Sequence, residues 1–295
     1  MKLLVFGSLN IDDVYLVDHL VKEGETIDSR SYTRCEGGKG LNQAIALAKA
    51  GAEVYFAGAV GEDGAFLPAF LSSFGVRTEY IKTVDEPTGR AIIQVDDAGR
   101  NSIILYGGAN RRISPETVDD VLCGFGEGDC ILLQNEISSL DYLICAAHEK
   151  GMTIFLNPSP ITEGLKRGPL GFVDWFILNE VEGYGLTGHT DEDGIIMELL
   201  RNYPSCRVLL TLGEKGSVYA DAARRARRSA FPVDASDTTA AGDTFTGYFV
   251  NAILNSEEVD RALLIAAQAA AIAVSRFGAG RSIPYADEVE RALTA

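Results

Sequence analysis

Along the second half of the chain, apolar residues come in short unbroken runs rather than in alternation. From about residue 120 onward, "CILLQNE", "MTIFLNPSP", "WFILNEVE" and "VLLTLGEKG" each pass from a hydrophobic run into polar residues or glycine. Runs of this kind suit parallel strands covered on both faces. Between them lie stretches with helical periodicity, over 138–150 and 191–203. The alternation predicts a doubly wound, mostly parallel sheet. Ligands bind such sheets beyond the carboxyl ends of the strands. Those ends here carry Glu136, Asn157, Asn179, Glu182, Thr211 and Gly213.

The first half reads differently. "LLVF" near the start is a first buried strand. "TGRAIIQVDDAGRNSIILYGG" is two strands around the turn "DDAGR", and "DDVYLVDHLVKEGETIDSRSYTRCEGG" is strand-like and broken by turn residues. Neither segment carries a helical stretch of its own. Residues near 13–36 and 88–107 are therefore expected to form a small antiparallel β flap, a lid over the main sheet that shields a site from water. Its open strand edges predict pairing with a second copy, a homodimer through the lid.

Composition narrows the chemistry. The 295 residues are 46% hydrophobic, as in a soluble globular protein. The opening apolar run is too short for a signal peptide or a membrane span, so a cytoplasmic location is expected. A formal charge of −16 argues against nucleic acid as a partner. The basic run "RRARR" at 224–228 reads as a solvated hairpin tip, with a phosphate-approaching patch as the alternative. Five scattered cysteines without a Cys-x-x-Cys read as free thiols in a reducing compartment. Three histidines and no HExxH leave little for histidine catalysis or transition metals. Carboxylates, lysine and backbone must carry the chemistry.

Three stretches can do so. "CEGGKGLNQAIALAKAG" runs from a glycine pair into an amphipathic helix closed by Gly51. It is not a P-loop, because Thr33 and Gly40 stand where that pattern needs a glycine and a Ser or Thr. A plain glycine turn would explain Gly37 and Gly38, but not Lys39 and Asn42 on one face of the helix start. In "GSLNIDD", Asn10 and Asp12 alternate and so point to one side, either as hydroxyl-binding groups or as an Asx turn. In "DTTAAGDTFTGYFVNAIL", Phe245, Tyr248, Phe249, Ala252 and Ile253 form a helical stripe. That places Ala240, Ala241 and Gly242 at a helix N-terminus with unpaired amides, a ready anion site. Asp243 beside them is either a cap or a catalyst.

"GGKGLNQA" and "DTTAAGDTF", with "QNE", "NPSP", "LNEVE" and "TLGEKG" in order between them, resemble the signatures of the PfkB, or ribokinase-like, carbohydrate kinases. The resemblance spans nearly the whole chain. "GSLNIDD…GETI", "GGAN" before "ISPE", and "FGAGRSIP" make it most similar to the ribokinase branch. It implies one three-layer α/β/α domain over 1–295 and an ATP-dependent sugar kinase, with D-ribose as the specific expectation. Other pentoses, ketohexoses or nucleosides stand behind it, and a non-catalytic sugar or nucleotide sensor behind those.

Residue by residue, the resemblance makes Asp243 the base, with the amides of Ala241, Gly242 and Asp243 as an anion hole. It places Asn10, Asp12, Gly38, Lys39, Asn42, Ala91 and Glu136 at the sugar. Asn179, Thr211, Gly213, Gly216 and Gly242 match nucleotide positions. Glu182 would hold Mg²⁺ through water, and Asp237, Thr239, Ala273, Gly278 and Ser282 a monovalent cation, K⁺ as activator. Two positions depart from the family pattern. Ala267, beside Gln268, replaces an Asn or His near the adenine. Arg90 replaces a small apolar residue in the flap. If the Ala91 face of that strand meets the site, a neutral pentose fits; the Arg90 face would suit an anionic sugar. The Ala91 face is the expectation.

Overall fold

The short apolar runs are strands. The computed structural model describes residues 1–294. Its strands are β1 (Leu3–Phe6), β2 (Asn10–Leu16), β3 (Ser31–Gly37), β4 (Val54–Val60), β5 (Arg77–Thr83), β6 (Gly89–Val95), β7 (Asn101–Tyr106), β8 (Cys130–Gln134), β9 (Thr153–Asn157), β10 (Trp175–Asn179), β11 (Arg207–Thr211), β12 (Ser217–Ala220) and β13 (Arg225–Arg228). The helices are α1 (Lys39–Lys49), α2 (Phe66–Ser72), α3 (Pro115–Leu122), α4 (Leu140–Glu149), α5 (Glu163–Lys166), α6 (Glu180–Thr187), α7 (Glu192–Asn202), α8 (Ala241–Leu254), α9 (Val259–Val274) and α10 (Ala286–Thr294).

Nine strands form one sheet in the order β13-β12-β11-β10-β9-β8-β1-β4-β5. It is parallel from β5 to β11, with β12 and β13 added antiparallel at one edge. Alternate side chains of β1 divide the core: Leu3 and Val5 pack with α1, α8 and α9, while Leu4 and Phe6 pack with α3, α4 and α7. Full burial on both faces is why these strands read as continuous apolar runs. The chain winds from β1 to β4 and β5, then returns to β8 on β1's other side. The order therefore reverses between β1 and β8, and the crevice beyond their carboxyl ends is the expected ligand position.

The lid is a four-stranded sheet in the order β3-β2-β6-β7. Its two hairpins, β2–β3 and β6–β7, are antiparallel as expected, but the seam between them, β2 on β6, is parallel. β2 follows β1 and β6 follows β5, parallel strands of the main sheet, so both hairpins start from its carboxyl ends and their first strands share a direction. All six residues of β7 are exposed.

The "RRARR" run differs from the expected tip. Only Arg224 borders the turn; Arg225–Arg228 form the edge strand β13. Three of its four charges are answered locally. Arg224 pairs with Glu258 and Asp260, and Arg225 and Arg227 converge on Glu192. Arg228 has no ion pair among the described residues and lies over the Phe231 ring instead, 5.3 Å from its centroid.

Helices α1 and α8, which carry the two strongest motifs, cross at Gly247. A Cβ there would lie 2.4 Å from the Ala46 Cβ and 2.9 Å from the Leu47 nitrogen. Alanine favours a helix by about 1 kcal/mol over glycine, yet overpacking a closed contact costs about 1–3 kcal/mol. Gly247→Ala is expected to lower the melting temperature; an unchanged or raised value would show that the crossing has slack.

Candidate active site

The α8 N-terminus is held open by its own cap. Ala240 adopts a left-handed conformation, φ 59° and ψ 11°, unusual for a residue with a Cβ. Its carbonyl accepts from both the amide and the hydroxyl of Thr244 at 2.8 Å. The Ala241 amide donates to the Thr238 carbonyl at 3.2 Å. The expected trio of free amides is thus a pair: those of Gly242 and Asp243 make no hydrogen bond among the described residues. A Cβ on Gly242 would meet nothing within 4 Å, so the space before them is open.

Asp243, on the first turn of α8, is buried, and α1 grips its carboxylate. Asn42 Nδ2 donates to one oxygen at 3.2 Å and Gln43 Nε2 to the other at 2.9 Å. The turn into α1 demands glycine: at Gly38, φ is 103° and a Cβ would stand 2.9 Å from the Ser8 carbonyl. The Lys39 amide donates to Glu136 Oε2 at 3.3 Å, and the Ser8 hydroxyl donates to the same oxygen. Burial works against the Lys39 ammonium, but Asp243, Glu136 and Glu182 outweigh it and hold its pKa above the ordinary value. Burial likewise drives the Glu136 carboxyl upward, against the Ser8 hydrogen bond and the Lys39 charge.

The lid supplies the opposite wall. Asn10 and Asp12 lie in β2 rather than in an Asx turn. Asn10 Oδ1 accepts from Asn110 Nδ2 at 2.8 Å. Asp12 stands in register with Ala91 and Cys35, so these three share the face toward Asp243. Gly37 packs closely beside it: a Cβ there would fall 2.0 Å from an Asp12 oxygen. Asp12 Oδ1 is buried without a partner. Arg90 lies on the other face and pairs with Asp63 at 2.7 Å and Asp13 at 3.4 Å. Ala91 thus shares the Asp12 face of the lid and Arg90 does not.

Beyond Asp243 the crevice continues as a cleft of about 230 Å³, with Lys39, Asn179, Glu182, Thr211, Gly242 and Asp243 among its lining. Asn179 and Glu182 close a capping box on α6: Glu182's amide donates to Asn179 Oδ1 at 2.9 Å, and Asn179's amide to Glu182 Oε2 at 3.0 Å. Gly213 and Gly216 follow Thr211 in the turn from β11 to β12, both with positive φ. Any side chain at Gly216 would collide with the Arg228 carbonyl, 2.0 Å away.

The segments of the expected monovalent-cation group also meet. Asp237 accepts from the Thr239 amide at 2.8 Å and from the Gly278 amide at 3.0 Å, and its own amide donates to the carbonyl of Val274, next to Ala273. Burial acts against the Asp237 carboxylate, but these bonds hold its pKa below the ordinary value. Ser282 donates to the carbonyl of Ala279, the neighbour of Gly278, at 2.8 Å. Ala267 is buried in the core beside α8.

Ser8, Gln43, Gln134 and Asn110 also belong to this site and were not singled out from the sequence; Asn157 was noted only as a strand end. Each lies within a stretch already marked, in "GSLN", "GGKGLNQA", "QNE", "GGAN" and "NPSP". Which position in those stretches turns inward is set by packing, which no short motif states.

Residues 1–286 match the pfkB family carbohydrate kinases. The chain belongs to the PfkB family. It is 37% identical to the ribokinase of Haemophilus influenzae, over 97% of this chain and 96% of that one. Among solved structures, a ribokinase from Cryptococcus neoformans in complex with ADP aligns with a TM-score of 0.88 and 35% identity, covering 99% of each chain. Arabidopsis thaliana ribokinase complexed with ribose and ATP aligns at 0.84 and 32%, covering 100% of this chain and 99% of that one. The protein is an ATP-dependent carbohydrate kinase of the ribokinase-like α/β fold, and no described helix is long and apolar enough to cross a membrane.

The lid carboxylate has a measurable signature. Burial raises the pKa of Asp12 to about 7, and Glu136, Asp13 and Asp243 push the same way. In the unfolded chain it titrates at about 4. Between those values the folded state binds the extra proton, so stability falls as pH rises through that window. Asp12→Asn removes the penalty. Without ligand, its melting temperature is expected to gain on the wild type by about 2–4 °C for each kcal/mol between pH 5 and 8. Parallel curves would contradict the assignment.

Proposed function

We propose that the protein transfers the γ-phosphate of ATP to the 5-hydroxyl of D-ribose, giving ribose 5-phosphate. One observation carries this reading: a buried carboxylate, Asp243, stands between two unpaired helix-terminal amides and a wall of hydroxyl-binding groups. Asn10, Asp12, Lys39, Asn42 and Glu136 form that wall, with Gly38 and the small Ala91 leaving room for a neutral pentose. Asp12 and Asn42 each bring a buried oxygen with no partner, Oδ1 in both cases. Such atoms are costly unless a ligand hydroxyl pairs them.

Asp243 accepts the proton of the hydroxyl as its oxygen attacks phosphorus. The amides of Gly242 and Asp243 face the charge on the transferring group, and the Ala241 amide joins them only by giving up its bond to Thr238. Phosphoryl transfer depends mainly on positioning and charge stabilisation. The Lys39 ammonium beside Asp243 adds positive charge at the point of transfer. Asn179, Thr211, Gly213 and Gly216 border the nucleotide.

Among the described residues, no cluster of three or more His, Cys, Asp or Glu side chains is set to hold a metal ion. Mg²⁺ needs no such cage, because it keeps its waters and binds substrate phosphates with one or two carboxylates. Glu182 fits that role, with Oε2 fixed by Asn157 and Asn179 and the residue lining the cleft. Bound there, the ion would neutralise phosphate charge. Asp237 with the loops at Thr239, Ala273, Gly278 and Ser282 fits a monovalent cation, K⁺, whose effect would reach the amides through the segment leading into α8.

A sugar panel with ATP, Mg²⁺, and K⁺ present or absent tests the reading. Ribose is expected to be the best substrate, and Asp243→Asn to lower kcat by about 10²–10⁴-fold. Turnover of another sugar but not of ribose would move the substrate and keep the family. A variant within a few-fold of wild type would remove Asp243 as base.

The lid also fits a homodimer. Ile103, Ile104, Leu105 and Tyr106 on its outer strand are between 48% and 61% exposed, more apolar surface than an edge strand ordinarily leaves open. Light scattering at micromolar concentration is expected to give a dimer, and Ile104→Asp a monomer. A monomeric wild type would refute this.

A further inference from the structure

Gln43 lies at the centre of the site and touches none of its open space. It is 1% exposed, and all its polar capacity is spent within the protein. Its Nε2 donates to Asp243 Oδ1 at 2.9 Å and to Asn157 Oδ1 at 3.2 Å. Its Oε1 accepts from Gln134 Nε2 at 2.6 Å. Asn42, the other residue that grips Asp243, keeps Oδ1 free. Asn42 can therefore meet a ligand, whereas Gln43 can act only through its neighbours.

The bonds run in one direction. Gln134, at the carboxyl end of β8, is wedged with its own carbonyl oxygen against Gly7, where a Cβ would come within 2.2 Å. That oxygen is buried without a partner, so the direction is set at the other end: the Asp243 carboxylate can only accept, which fixes which end of the Gln43 amide donates. The donor end must then face Asp243 and Asn157. Asn157 in turn donates to Glu182 Oε2 at 3.2 Å and to the Ile177 carbonyl at 2.9 Å. A chain of oriented amides thus begins on β8, passes through α1 and β9, and ends on two carboxylates, Asp243 on α8 and Glu182 on α6. Reversing the Gln43 amide would set its oxygen against the Asp243 carboxylate and its amino group against the Gln134 donor, so one arrangement is held.

We infer that Gln43 is the positioning residue that fixes the Asp243 carboxylate, and through Asn157 keeps it in register with Glu182. The inference rests on the proposed role of Asp243 as base. Such a residue affects the rate of transfer more than sugar binding, because a reacting group displaced by about 1 Å loses about 10²-fold in rate.

The test uses the full-length protein with ribose, ATP and Mg²⁺, well below the melting temperature of each variant. Gln43→Met, close in volume but without donors, is expected to lower kcat by about 10²-fold and leave the ribose KM within about three-fold. Placed on Asp243→Asn, it should add no further loss, because the group it positions is already gone. Gln134→Met, which keeps Gln43 but removes the donor to its Oε1, should show a smaller loss in kcat of the same kind. If Gln43→Met fails to fold, Gln134→Met carries the test. A kcat within about three-fold of wild type, a loss confined to KM, or losses that multiply in the double variant would each overturn the inference. If Asp243→Asn alone keeps its rate, the base reading fails first and takes this one with it.

Discussion

Everything chemical in this protein depends on how two helix N-termini are held against each other. Helix α1 begins at Gly38 and α8 at Ala240, and their first turns meet where Asn42 and Gln43 take the Asp243 carboxylate. Their bodies are locked by the Gly247 contact with Ala46 and Leu47. One constraint is steric and the other polar, and each needs the other. Without the close crossing, the amides of α1 could not reach Asp243. Without those bonds, a buried carboxylate would have no protein donors. The nine-stranded sheet contributes the floor, since the ends of β1, β8, β9 and β10 deliver Ser8, Gln134, Asn157 and Asn179 to the same place.

Charge is balanced within the crevice rather than across the surface. Glu136, Glu182 and Asp243 act on one half-buried lysine, Lys39, Asp12 adds a further acid beside Glu136 and Asp243, and the chain as a whole carries −16. Acids outnumber the cation there, so the Asp12 and Glu136 carboxyls are driven upward by burial. A site of this polarity suits a neutral, hydroxyl-rich ligand on one side. On the other, anionic phosphates need the help of amides and cations. The Arg90 charge stays out of that balance, being spent on Asp13 and Asp63 behind the lid.

Much of this was legible from residue pattern. Fully buried parallel strands announce themselves as unbroken apolar runs, and the Phe245–Ile253 stripe places the start of α8 closely enough to pick out Gly242 and Asp243. Alternation along β6 puts Ala91 and Arg90 on opposite faces, because a strand has only two. What stayed hidden was set by tertiary contact. The Ala241 amide turns back to Thr238 because Ala240 takes a left-handed conformation, which an alanine does not advertise. The parallel β2–β6 seam joins segments about eighty residues apart, and no local turn signal encodes such a pairing. Gln43 reads in sequence as one more polar residue on an amphipathic helix, and only the ends of β8 and β9 reveal why it is inside.

The lid is more than a cover, because Asn10, Asp12 and Ala91 are part of it. On the proposed reading, three of the sugar's seven partners travel with the flap. Closure and recognition then become a single equilibrium: a sugar that fails to pair with Asn10 and Asp12 also fails to hold the lid shut. Apparent affinity is the intrinsic affinity scaled by the closed fraction. Discrimination among sugars would thus be expressed in how long the site stays closed, and product leaves only when those same contacts break. The register that sets Ala91 against Asp12 makes the gate and the selector one piece of backbone.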